Sequence, residues 1–178
     1  MAETLAQKGG LAQYGGACSL TVAVDLSNAG DFKGAARIFE AAGEYASAAR
    51  KVEYLGDVAA MKGNAEESYE YYVKALDLYE KQIQKCIKED TLKWAGQAAL
   101  KKGELFGKLE MQEQADEERS RALDLFVRGY WYDEASQLAD ELGLSEKAEE
   151  YRKADKEKPR WQCIEDAKSA ARAASASA

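Results

Sequence analysis

The 178-residue chain contains no histidine. That removes the commonest general base, metal ligand and triad member together, so any chemistry must come from carboxylates, thiols or lysines. Carboxylates recur one helical turn apart at Glu66/Glu70 and Glu113/Glu117. Paired acids of this kind hold di-iron centres in helical bundles, but there a histidine completes the set. Here the pairs read as solvated helix faces. Cys18, Cys86 and Cys163 are odd in number, far apart and outside any CxxC pair. That argues against a disulfide framework or zinc knuckle and for small packed side chains. "LAQKGG", residues 5–10, comes nearest to a phosphate-cradling loop, yet no Ser or Thr follows it and no strand precedes it. These residues predict no enzyme, no catalytic site, no metal and no cofactor.

What remains is binding. The net charge is −7, so neutralising phosphates gains nothing overall and nucleic acid is not an expected partner. Charge is nevertheless uneven. Seven lysines face three acids between Lys81 and Lys108, and five acids without a base lie between Glu110 and Glu118. Such strips suit self-association or an acidic partner; ordinary pairing one turn apart on helices produces them too. "GYWYDE" places Tyr130, Trp131 and Tyr132 together at a helix start. Exposed aromatics make binding hot spots, so this stretch is a candidate interface.

The elements that position these residues are helices. Ala, Leu, Glu and Lys abound, β-branched residues are few, and the single proline is Pro159. Four glycines within residues 9–16 predict a flexible N-terminal arm over 1–16. The helical domain is expected over 17–158. Phe32, Ala35, Ala36, Phe39 and Ala42 form one stripe, ended by Gly43. Tyr69, Tyr72, Leu76, Tyr79 and Ile83 recur at helical steps as one buried face. Gly96, Gly103 and Gly107 inside a fifth helix each cost about 1 kcal/mol against alanine, which close approach of a neighbouring helix explains. About eight antiparallel helices joined by tight turns are predicted, sequential neighbours packing as hairpins. The tail, 159–178, reads as a frayed helix or as disorder. The N-terminus lacks a basic start followed by an apolar run, and no stretch approaches a membrane span. A cytoplasmic protein with no integral membrane segment is expected.

The chain also repeats itself. "GDVAAMKGNAEESYEYYVKALDLY" (56–79) overlays "GELFGKLEMQEQADEERSRALDLF" (103–126) with seven of 24 positions identical. The matches fall where packing needs them: a glycine in the first helix, a small residue early in the second, then Ala-Leu and an aromatic. A hairpin cannot bury its own apolar face, so it stacks on another. The fold class expected is all-α, a right-handed superhelix of about four stacked antiparallel helical hairpins.

These residues resemble the tetratricopeptide repeat. Leu55-Gly56 sits where that family has its Leu-Gly pair, Gly63-Asn64 matches the turn, Ser68 the small residue, Tyr72 the aromatic and Ala75 the later alanine. In the second repeat Glu110 replaces the turn glycine and Arg119 the aromatic, and the spacing of 47 exceeds the usual ~34. The longer helices are similar to the soluble NSF-attachment-protein branch, and the short units to coat and trafficking solenoids.

The resemblance implies a concave face lined by the first helix of each hairpin. Arg50, Glu53, Asp57 and Met61 would line it in the clear repeat, and Gln97, Leu100, Glu104 and Lys108 in the next. Where family members that grip an acidic chaperone terminus carry Lys and Asn, this chain has Glu53 and Asp57, which repel a carboxylate. The function expected is a non-enzymatic adaptor, scaffold or assembly factor holding a segment of another protein. A vesicle-trafficking factor of the NSF-attachment type and a small structural subunit of a larger complex are the alternatives. Apolar ends leave end-to-end pairing of two copies open.

Overall fold

The computed structural model describes residues 16–176, and helix is the only regular structure among them. Among the described residues nine helices follow one another: α1 (Gly16–Asn28), α2 (Phe32–Ala41), α3 (Tyr45–Met61), α4 (Ala65–Lys88), α5 (Leu92–Lys108), α6 (Gln112–Arg128), α7 (Tyr132–Glu141), α8 (Ser145–Glu157) and α9 (Arg160–Ala176). The fold is all-α, with chain neighbours packed on one another as helical hairpins. The expected arm over 1–16 lies outside the described residues except for Gly16, which opens α1. The ninth helix, beyond the eight anticipated, is the tail after Pro159.

One kind of turn ends most of these helices. A backbone N–H just past the helix reaches back five residues to a carbonyl: Asp31 to Leu26, Glu44 to Phe39, Asn64 to Ala59, Thr91 to Cys86, Trp131 to Phe126 and Leu144 to Ala139, at 2.8–2.9 Å. This closure requires a left-handed residue just before the donor. Gly30, Gly43, Gly63 and Gly143 fill that place, but Asp90 and Tyr130 adopt it with φ near 55–58°, and Glu110 takes φ 59° at its own turn. The second repeat therefore makes a left-handed turn without the glycine that announces it.

Two compact units divide the chain, and helices α4 and α5 each contribute to both. The first holds residues up to Gln82 together with Leu105–Glu110. Its core is rich in alanine (Ala35, Ala48, Ala49, Ala59, Ala75), with Val52, Leu78 and Tyr79 filling between. Small residues permit close helix approach. At Gly56 a Cβ would stand 2.6 Å from the Tyr72 ring, so α3 and α4 meet there only because the side chain is missing.

The second unit holds Ile83–Glu104 and Met111 onward. A Cβ on Gly96 would lie 2.6 Å from the Phe126 ring, and one on Gly103 would lie 3.1 Å from the Ala115 carbonyl oxygen. Close approach thus explains two of the three helix glycines. Gly107 has nothing within 4 Å of where its Cβ would be. Buried Glu118 takes the Lys102 ammonium at 2.6 Å, and Arg121 approaches it at 3.4 Å.

The repeat in the sequence is a repeat in burial. Ser68, Ala75, Leu78 and Tyr79 are buried in α4, as are their counterparts Ala115, Ala122, Leu125 and Phe126 in α6. Two expected core positions lie outside it. Ala42 is exposed, and Tyr69 is 57% exposed because it stands one residue away from the inward row of Ser68, Tyr72, Ala75 and Tyr79.

Candidate functional site

Arg50, Glu53, Asp57 and Met61 follow at steps of three, four and four, which puts them on one stripe of α3. The two acids at its centre are held from two sides. The Tyr79 hydroxyl donates to Glu53 Oε2 at 2.8 Å and the Tyr72 hydroxyl to Asp57 Oδ1 at 2.7 Å. Lys108 then lays its ammonium between both carboxylates, donating at 2.8 Å to Glu53 Oε1 and at 2.8 and 3.1 Å to Asp57. The same nitrogen is 5.6 Å from the centre of the Tyr72 ring. All five residues belong to the first unit.

The electrostatics keep this cluster fixed. Burial pulls the Lys108 ammonium down, but the Asp57 and Glu53 carboxylates outweigh it and leave it above the ordinary lysine value. Burial pushes the Tyr72 hydroxyl up, and its bond to Asp57 adds to this. At neutral pH Lys108 is therefore a charged ammonium and Tyr72 a neutral phenol. The cluster positions side chains. Glu53 and Asp57, expected as two acids that repel a carboxylate, already share a cation from the chain itself.

The flanks of the stripe are open. Arg50 is exposed and reaches Ser47 at 3.5 Å, and Met61 is 86% exposed. Of the residues expected beside them, Lys108 joins the cluster. Gln97, Leu100 and Glu104 lie on the part of α5 in the second unit: Gln97 is exposed, Leu100 half-buried, and Glu104 takes the Lys101 ammonium at 2.6 Å.

Tyr130, Trp131 and Tyr132, the expected aromatic interface stretch, are all half-buried. Tyr132 stacks on Tyr151 and meets Tyr130 edge-on, both with ring centres 6.3 Å apart. Trp131 carries two cations against its ring, Lys93 4.1 Å from the ring centre and Arg160 4.0 Å. Lys93 is further paired with Glu134, and Arg160 donates to the Gly129 carbonyl at 3.0 Å. The tryptophan is a platform that ties the starts of α5, α7 and α9 together.

Among the described residues Tyr54, Tyr69, Trp94 and Trp161 are the exposed aromatics, and none of them is an expected interface residue. The signal for Tyr69 was available in its offset from the inward row of α4. Trp94 and Trp161 each follow directly the cation that stacks on Trp131, and nothing local marks them as outward. Among the described residues no group of His, Cys, Asp or Glu is arranged to hold a metal ion, and no helix is long and apolar enough to cross a membrane. Compared with known proteins, the chain matches no family model and no curated sequence.

Proposed function

We propose that the chain is a non-enzymatic, cytoplasmic protein-interaction module of tetratricopeptide-like hairpins that holds a protein segment against the α3 stripe. The observation that carries this reading is the combination of a fixed centre and an open end. Glu53 and Asp57 are oriented by two tyrosine hydroxyls and Lys108, while Met61 beside them is 86% exposed. A preset polar group next to an exposed apolar side chain suits recognition, since little ordering is needed on binding. The repeat resemblance supports it through Gly56, Ser68, Tyr72 and Ala75, which pack as that motif requires.

The test is affinity capture from lysate with wild type beside an Arg50→Glu, Met61→Glu variant, both changes being at exposed positions that leave the cluster intact. A protein retained by wild type and lost by the variant supports the α3 face. Equal retention by both removes this face from the function.

One observation favours a structural subunit as the second reading. Every side chain of α9 described from Glu165 onward is exposed. A helix that buries nothing is marginal by itself, and docking in a larger assembly would complete it.

A further inference from the structure

The internal repeat supplies a control for the outer face of α4. Glu66, Tyr69, Glu70, Val73 and Asp77 recur at helical steps, and all five are exposed. Their counterparts on α6 are Glu113, Asp116, Glu117, Ser120 and Asp124, also exposed. The acids at the first, third and fifth places are shared. At the second and fourth, α6 has Asp and Ser where α4 has Tyr and Val. The sister helix carries a wholly polar face at the equivalent place, so the apolar pair on α4 is not a feature the repeat itself requires. Tyr69 is 57% and Val73 44% exposed.

The charges around this pair are arranged in one sense. Neither Glu66 nor Glu70 has an ion-pair partner among the described residues. The nearby lysines are drawn aside: Lys74 lies 3.6 Å from Glu40, while Lys81 pairs with Glu40 at 3.3 Å and with Asp77 at 2.8 Å. At its N-terminal end the stripe borders a shallow hollow of about 340 Å³ lined by Asn64, Ala65, Glu66, Glu67 and Glu70. The result is an apolar centre between free carboxylates, a surface complementary to a cationic side chain beside an aliphatic one.

We infer that the outer face of α4 is a docking surface for a basic amphipathic helical segment of another protein. Leucine-type side chains of the partner cover Tyr69 and Val73, and its lysines or arginines meet Glu66 and Glu70. This surface is separate from the α3 stripe, so each stands or falls alone.

The probe is a fluorescein-labelled synthetic peptide of leucine and lysine patterned as an amphipathic helix, titrated with the full chain and read by anisotropy. Tyr69→Asp with Val73→Ser installs the sister residues. It adds a negative charge that by itself favours a cationic peptide, so weaker binding isolates the apolar contribution. About tenfold weaker binding is expected from losing the two contacts. Glu66→Lys with Glu70→Lys is expected to weaken binding at least as much. Glu113→Lys with Glu117→Lys makes the same change in net charge on the sister face and is expected to alter affinity less than about twofold. Equal losses from the two charge-reversed variants would mean general attraction to an acidic protein and would overturn the inference. So would unchanged binding after Tyr69→Asp with Val73→Ser, or a self-association of wild type that this variant abolishes, which would make the occupant a second copy.

Discussion

Glycines inside helices divide here by what stands opposite them. Gly56→Ala would drive a methyl group to 2.6 Å from the Tyr72 ring, whose hydroxyl holds Asp57. Overpacking of this kind costs about 1–3 kcal/mol. Gly107→Ala meets nothing within 4 Å and gains helix propensity worth up to about 1 kcal/mol. Thermal unfolding of the two variants is therefore expected to move in opposite directions, by roughly 2–4 °C per kcal/mol in a chain of this size. The Lys108 cluster makes a second expectation at the same scale. Its folded pKa lies above the ordinary 10.5, and that of Tyr72 above the ordinary 10.0. A group raised on folding contributes fully below its unfolded value and loses that contribution as pH climbs through its folded one. The melting-temperature gap between wild type and Lys108→Met should stay constant from about pH 6 to 9 and shrink above the unfolded lysine value. A gap that narrows already between those limits would show that the ammonium is not what the acids hold.

At the scale of elements, helix faces were legible and their partners were not. Alanine and aromatic steps mark the inward row of α4, because burial must follow the helical period. They do not say that Lys108 meets acids more than 50 residues earlier, since no local pattern records a tertiary contact. An aromatic at helical spacing resembles core, so the spacing predicts Tyr69 inward, yet a shift of one residue turns a side chain about 100° around the helix. Turns show the reverse case: Glu110 breaks the glycine rule, and the chain still turns there through a left-handed residue. A side chain in that conformation costs about 1–2 kcal/mol, from which the extra freedom of an unfolded glycine subtracts roughly 0.5–1. Glu110→Gly should therefore raise stability by about 0.5–1 kcal/mol, checked by urea unfolding with an unchanged m-value. Destabilisation would mean that the Glu110 side chain, exposed as it is, makes a contribution larger than the strain.

Across the whole molecule, a largely alanine-lined core and a polar exterior leave α9 as the element with the least to hold it. Its attachment lies in its first turns: Arg160 on Trp131 and on the Gly129 carbonyl, the buried Cys163 thiol 3.8 Å from the Lys158 carbonyl, and Asp166 paired with Lys158 at the surface. Trp131 keeps the Lys93 ammonium near its ring when Arg160 is gone. Deleting residues 160–178 should therefore remove one stacked cation and one small buried side chain, about 1–2 kcal/mol together. The remaining chain should still unfold cooperatively, with helical circular dichroism lower by no more than the 17 residues of α9. A loss of several times that size, or new binding of a hydrophobic dye, would place α9 among the elements that close the core. A loss within it would leave α9 spare for the folded monomer and strengthen the case that the helix completes a contact outside the chain.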